Sequence, residues 1–542
     1  MLKTSRQLSA HAFSPSLQRA YDYVIVGGGT AGCLLANRLS SNPSHSVLLI
    51  EAGTTTTFKP YMKIPISYLA TMMNPETCWC YNTEPQTHLN DRSIQYPRGK
   101  VLGGCSSING MLYLRGAKSD YDSWAKELGD ESWSGSKINS IFEELKPEWP
   151  TNHQQLEWDV LNDFQNAIAT QTGAEIGNPT DANDEMVGFF KVNQRNGRRV
   201  SANDAFLEPV IHRPNLDVMT ECEIDKLGMD KTNTRIVDIH FKPSRNVFKA
   251  PVEVGNSVVI LSAGSVNSPN ILQRSGIGDS RMLSENSIMS RVDLKGVGKN
   301  LQDHLQIRSV FQLKDGVDTL NTRYHSYAQC LKMGLEYILK SSGPLSMAPS
   351  QLGAFLKSSE EIHTPDLEFH VQPLSLEAFG SPLHKFPAIT TSICNLRPTS
   401  RGEVTLGKNL EPEVDPQYLS TENDRKIASD SIRLSRACVS VAGFAEKYEP
   451  TEILPGATIT STEELAEAAG KISSSIFHPV GTCKMGIKND PNAVVDNELR
   501  VFGVANLYIV DASVMPNIVS GNTCSPTLAI AEKASRMMIA NK

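Results

Sequence analysis

Gly27-Gly28-Gly29-Thr30-Ala31-Gly32 decides the fold of this chain because of what stands on either side of it. Tyr23-Val24-Ile25-Val26 reads as a short buried strand, and Cys33 to Leu39 has the three-and-four apolar spacing of a helix. The glycines therefore join strand to helix. Gly27, Gly29 and Gly32 satisfy G-x-G-x-x-G, a spacing that lets the backbone turn tightly, approach a pyrophosphate, and pack the helix on its strand with its N-terminus toward the phosphates. A second strand, Ser46 to Ile50, delivers Glu51, 19 residues past Gly32, where a carboxylate is placed to accept hydrogen bonds from an adenosine ribose. The unit predicts a dinucleotide site in an α/β fold.

Two more apolar runs share the style of 23–26 and 46–50, namely Ser257 to Ser262 and Leu507 to Val510. Strands buried on both faces belong to a parallel sheet, so all four are expected in one Rossmann-like domain that is discontinuous in sequence. The stretch from about 306 to 477 carries alternating segments such as Leu367-Glu368-Phe369-His370-Val371 and a helix-like region at 420–440. It reads as a second, mixed α+β domain. The expected division is 1–20 as a tail, 21–305 as the main nucleotide-binding part with insertions of the second domain near 155–210, 306–477 as the substrate domain, and 478–542 returning to the first.

Composition narrows the function classes. Of 542 residues 40% are apolar and 20% charged, and no 18-residue apolar run is present that could span a bilayer. A net charge of −7 without a long basic block argues against a nucleic-acid partner and leaves peripheral membrane contact open. Ten scattered cysteines, without C-x-x-C pairs, read as buried thiols of an intracellular, reducing compartment, and Cys78-Trp79-Cys80 reads as packing rather than a metal site. Lys3, Arg6 and Arg19, with several serines and no acid before Asp22, make residues 1–20 compatible with a mitochondrial or other organelle presequence and equally with a plain tail on a cytoplasmic protein. H-E-x-x-H, G-K-[ST] and G-x-S-x-G are all missing, which removes zinc protease, P-loop and serine hydrolase chemistry.

Arg98-Gly99-Lys100-Val101-Leu102-Gly103-Gly104-Cys105-Ser106-Ser107-Ile108-Asn109-Gly110-Met111-Leu112-Tyr113 resembles the first signature of the glucose–methanol–choline (GMC) flavoprotein oxidoreductases, and Leu261 to Leu272 with Ser275-Gly276-Ile277-Gly278 resembles the second. Gly296 to His304, His478 to Gly486 and Val510 to Lys533 follow in the family's order. The resemblance implies FAD as the dinucleotide and oxidation of an alcohol to an aldehyde or ketone. It places at the FAD, besides Gly27, Gly29, Gly32 and Glu51, the first-turn residues Thr30 and Ala31 and the neighbouring Ala52. The first signature contributes Arg98, Val101, Gly103, Gly104, Ser106, Asn109, Gly110, Met111 and Leu112, and later segments contribute Ile224, Ala263, Asp511, Ala512, Asn522 and Thr523. Where some members carry a histidine that bonds covalently to the flavin, this chain has Ile108, so noncovalent FAD is expected.

Among twelve histidines, His478 stands in the motif that holds the family's catalytic histidine. An alcohol carbon releases hydride readily only as its hydroxyl becomes alkoxide, and a neutral imidazole suits that proton transfer. In the second catalytic position this chain has Asn522, which cannot act as a base but can donate to the developing alkoxide. The pair leans toward the choline and simple alcohol branches, with His478 as base, hydride passing to flavin N5, and oxygen, a quinone or another acceptor reoxidising the cofactor. His304 is expected to serve structural hydrogen bonding. The family also contains a cyanohydrin lyase and a light-driven fatty-acid decarboxylase, which stand as alternative reactions.

Overall fold

The structure is a computed structural model that describes residues 20–540 except 57–58, 244–250 and 378–379. The 1–20 tail therefore lies, but for Ala20, outside the described residues. The four apolar runs become strands of one five-stranded parallel sheet, and Leu216–Met219 adds a fifth at its edge. The order across the sheet is Leu507–Ile509, Val258–Leu261, Tyr23–Val26, Val47–Ile50, Leu216–Met219. Tyr23–Val26 and Val47–Ile50 are buried at every position, as strands covered on both faces must be. The helices Thr30–Leu39 and Cys524–Ala540 pack on one another, which closes the sequence ends into one layer. This is the Rossmann-like, discontinuous arrangement that the strand style implies.

A second sheet of eight strands is mainly antiparallel and draws its strands from distant parts of the chain. Leu305–Gln312, Leu352–Leu356, Leu367–Gln372 and Ala388–Asn395 form its centre, while Met186–Phe189 and Glu175–Ile176 extend one side. The helix-like region is the helix Glu422–Val439, started by Thr421, whose side chain accepts from the Asp424 backbone N–H. The alternation at 367–371 suggests a strand with one wet face, yet all six residues of Leu367–Gln372 are buried, Glu368 and His370 at 0% exposure. Of its polar residues, His370 and Gln372 face a cavity rather than solvent, and Glu368 is enclosed behind His370.

Candidate active site

The first glycine turn divides its work among its three positions. Gly27 has φ +107°, and a Cβ there would stand 2.4 Å from the Ser262 carbonyl oxygen; at Gly32 it would stand 1.9 Å from the carbonyl oxygen of Gly27. Both glycines hold the turn and the helix against the strands. At Gly29, by contrast, the nearest atoms to such a Cβ are 3.8 and 3.9 Å away. That open space lies on the cavity wall, at the N-terminus of Thr30–Leu39, where no side chain caps the helix and no acid occupies the first turn. Free backbone donors with the positive end of a helix fit a phosphate of the implied dinucleotide.

The cavity occupies about 1980 Å³, open mouth included, between the two sheets. Of the residues expected at FAD, Gly27, Gly29, Thr30, Ala31, Glu51, Ala52 and Arg98 line it, as do Gly104, Asn109, Gly110 and Leu112. Ile224, Ala263, Asp511, Ala512, Asn522 and Thr523 line it as well. Gly32, Val101, Gly103, Ser106 and Met111 stand behind the wall and hold it up. The Gly103 backbone N–H donates to the Gly28 carbonyl at 2.7 Å, tying the two glycine-rich segments together. Ser106 donates to the Gly103 carbonyl at 2.6 Å and accepts from the Ala202 backbone N–H at 2.8 Å, and the Met111 N–H donates to Asn109 Oδ1 at 3.0 Å. Val101 is fully buried in a bridge to Thr54.

Glu51 accepts backbone N–H groups from Gly28 and Gly53, each at 2.7 Å. Burial nevertheless pushes its carboxyl up to about 7, with those two N–H donors and Lys100 opposing the shift. Its remaining lone pairs suit hydroxyl donors of a ribose. Ile224 lies at the same end, where its carbonyl accepts from Arg274 at 3.0 Å. Ile108 is buried on the wall and offers no atom for a covalent link.

At the other end of the cavity a chain of hydrogen bonds settles the protonation of His478. The Leu396 carbonyl, which can only accept, is 3.2 Å from His304 Nε2, so that nitrogen carries the hydrogen. His304 Nδ1 is then bare in the neutral ring and accepts from His478 Nδ1, 3.1 Å away. His478 Nε2 is consequently left bare, with Asn522 Nδ2 donating to it at 2.9 Å. Burial, then the neighbouring His304, His370 and Arg98, depress the His478 pKa well below the ordinary imidazole value, which keeps the ring neutral. Asp303 fixes the main chain beneath it, accepting the His478 backbone N–H at 2.7 Å, while Ser475 and Tyr418 donate to the other carboxylate oxygen. Asn522 Oδ1 is buried without a partner among the described residues, as expected of an amide that awaits a ligand.

The second sheet adds groups that the sequence pattern did not single out. Gln306, His370 and Gln372 line the cavity near His478, and Glu368 stands 3.2 Å behind His370, with neither side chain exposed. Their only sequence signal was the polar alternation of a strand. A model of the GMC oxidoreductase N-terminal region matches residues 21–306, and its C-terminal counterpart matches residues 398–531.

The chain belongs to the GMC oxidoreductase family. It is 37% identical over 536 residues to an alcohol dehydrogenase [acceptor] of Pseudomonas putida, covering 96% of both chains. It is 33% identical over 557 residues to an oxygen-dependent choline dehydrogenase of Staphylococcus saprophyticus, covering 97% of this chain and 96% of that one. Among solved structures, pyridoxine 4-oxidase from Mesorbium loti superimposes with a TM-score of 0.83 at 28% identity over 96% of this chain and 99% of the other. As a GMC protein it is an FAD-binding oxidoreductase, and the glycine-rich end of its cavity, with Glu51, fits the nucleotide part of that cofactor.

Proposed function

We propose that this GMC protein oxidises an alcohol to an aldehyde or ketone with noncovalently held FAD, His478 acting as base and Asn522 holding the substrate oxygen. The observation that carries this reading is the bare His478 Nε2 facing Asn522 on the cavity wall, its tautomer set by His304 and the Leu396 carbonyl. An alcohol entering between the two side chains replaces their mutual hydrogen bond: its O–H donates to Nε2, and Asn522 Nδ2 donates to its oxygen. Transfer of the hydroxyl proton to Nε2 then produces imidazolium and alkoxide together, a pair without net charge, and the amide stabilises the oxyanion. FAD, when bound, supplies the acceptor for the hydride. Arg98, already donating to the Phe477 carbonyl at 2.8 Å, secures the turn that carries the base. In this reading the eight-stranded sheet is the substrate-binding part, and residues from 478 onward return to the nucleotide-binding part.

The family's lyase chemistry gives the contrasting outcome of one experiment, and darkness excludes the light-driven decarboxylation. A panel of alcohols is mixed anaerobically with the purified yellow protein in the dark. Bleaching of the flavin by an alcohol, with the matching carbonyl product, is expected; product formation with the flavin left oxidised would replace the proposal by a non-redox reaction. Acid precipitation should leave a white pellet and a yellow supernatant, and colour retained in the pellet would overturn noncovalent attachment.

A further inference from the structure

Exposed large apolar side chains are unevenly spread over this molecule. Of thirteen among the described residues, six fall between Tyr324 and Leu339, and two more, Tyr61 and Leu69, lie on the short helices at 60–71. The helix Tyr327–Lys340 is apolar on two sides. Met333 and Tyr337 are buried toward the protein, with the Tyr337 hydroxyl donating to the Gly197 carbonyl at 3.1 Å. Tyr327, Leu331, Leu335 and Ile338 recur at helical spacing on another side, where Tyr327 is 95%, Ile338 78% and the adjoining Leu339 77% exposed. Lys332 and Lys340 flank this stripe, and neither has an ion-pair partner among the described residues.

The stripe continues to the cavity. The helix leads into Pro344–Ser346, which packs on Pro65–Ser67. Tyr68 and Met72, directly after that turn, line the cavity, while Leu69 between them is 37% exposed.

We infer that the outer face of Tyr327–Lys340, with Tyr324 and Leu69, is a membrane-docking surface that lies in the headgroup boundary of an anionic bilayer and sets the rim of the cavity against it. Tyrosines and lysines around an apolar stripe suit that boundary, since their stems enter the acyl region while their polar ends stay in the headgroups. The charge complementarity is local. The whole chain carries −7, yet residues 327–340 hold Lys332 and Lys340 against Glu336 alone, Arg323 just before them being paired with Asp318. A second copy of the chain fits less well. A stripe one helix wide falls short of the roughly 20 to 30 residues a side of a stable dimer interface, and a two-fold pairing would bring the lysine flanks together.

The test sediments the FAD-loaded enzyme with phosphatidylcholine vesicles, with and without phosphatidylglycerol. The wild type should pellet with the anionic vesicles and do so less at high salt. L331E/I338E should lose at least about 10-fold in partitioning to either vesicle, and K332E/K340E at least about 30-fold on anionic vesicles only, since two lysines near such a surface together contribute on the order of 2 kcal/mol. Both variants should keep the wild-type flavin spectrum, because none of the four residues touches the cavity. Failure of the wild type to pellet, or equal pelleting of L331E/I338E, overturns the inference. A wild-type dimer in sedimentation velocity that L331E/I338E converts to monomer would assign the face to a second copy and overturn it as well.

Discussion

The two ends of the cavity are built from different materials. The nucleotide end is backbone: glycine turns pressed so closely together that a Cβ on Gly104 would lie 2.8 Å from Gly29 Cα, and the Gly103 N–H meets the Gly28 carbonyl. The substrate end is buried side chain, with His478, His304, His370, Gln306, Gln372 and Glu368 drawn from two strands, the residue just ahead of one of them, and a turn. Close approach to a fixed ligand needs absent side chains at fixed spacing, so the first end is written locally in the sequence. Shaping a pocket for a variable substrate needs side chains that only the topology of the sheet brings together.

The sharpest way to break this comparison is at the glycines themselves. Gly29→Val should fold, because its backbone φ of −81° suits any residue and its Cβ meets ordinary contact distances, yet it should abolish FAD binding by filling the open space at the helix N-terminus. Gly32→Ala should instead destabilise the fold by upward of about 3 kcal/mol, since its Cβ has a backbone oxygen 1.9 Å away. Flavin occupancy read beside circular dichroism and thermal melting checks both. A folded Gly29→Val protein with full flavin occupancy would mean that the dinucleotide lies elsewhere.

At the substrate end the largest effect belongs to His478. His478→Ala should slow anaerobic flavin reduction by about 10² to 10⁴, the contribution of a positioned base, with FAD retained; Asn522→Ala should cost a smaller factor of roughly 10 to 10³. The pH dependence has a definite sign. The base must be neutral, and its pKa lies below the ordinary imidazole value of 6.5, so the rate should stay level down to about that pH and fall only in more acid solution. A folded-state pKa below the unfolded one also stabilises the protein above 6.5, a contribution lost as pH falls and His478 and His304 take up protons. Stopped-flow reduction across pH tests the kinetic part. A wild-type limb centred above 6.5, or one that persists in His478→Ala, would move the base role to another group.

The legibility of the site follows the same division. Four strands of the parallel sheet could be read from short apolar runs, but Leu216–Met219 could not, since Asp217 interrupts its apolar pattern at the sheet edge. His478, Asn522 and the cavity-lining glycines came from ordered motifs. The polar strand 367–372 hid its meaning because alternation signals one wet face in an open sheet, whereas here the polar face turns into a closed site. His304 was legible as a structural hydrogen-bonding residue, yet its action on the tautomer of His478 depends on a carbonyl 92 residues away.

That action yields the next prediction. His304→Gln should keep FAD but lower flavin reduction by on the order of 10- to 100-fold, by analogy with the range for partners that orient metal-bound histidines. A shifted acid limb should accompany the loss, because the neighbour at His478 Nδ1 has changed. Lower rate with an unchanged pH profile would make His304 a packing residue only.

The smallest effect should come from Glu368→Gln, and it tests whether the two ends are energetically separate. Glu368 lies behind His370, outside the cavity lining, so it can influence an alcohol only at second hand, through the imidazole in front of it and through His304, whose ring it also faces electrostatically. Replacing its carboxyl by an amide changes the group that faces the His370 ring at 3.2 Å while leaving every group at the nucleotide end untouched. Flavin occupancy should therefore equal the wild type, whereas the ratio of kcat/KM between a small and a bulky alcohol should shift by less than about 10-fold, or 1.4 kcal/mol. Loss of flavin from Glu368→Gln would show that the substrate sheet supports the nucleotide end as well. An unaltered ratio across the alcohol panel would place Glu368 and His370 in the scaffold and leave discrimination among alcohols to Gln306, Gln372 and Tyr68, which share that wall.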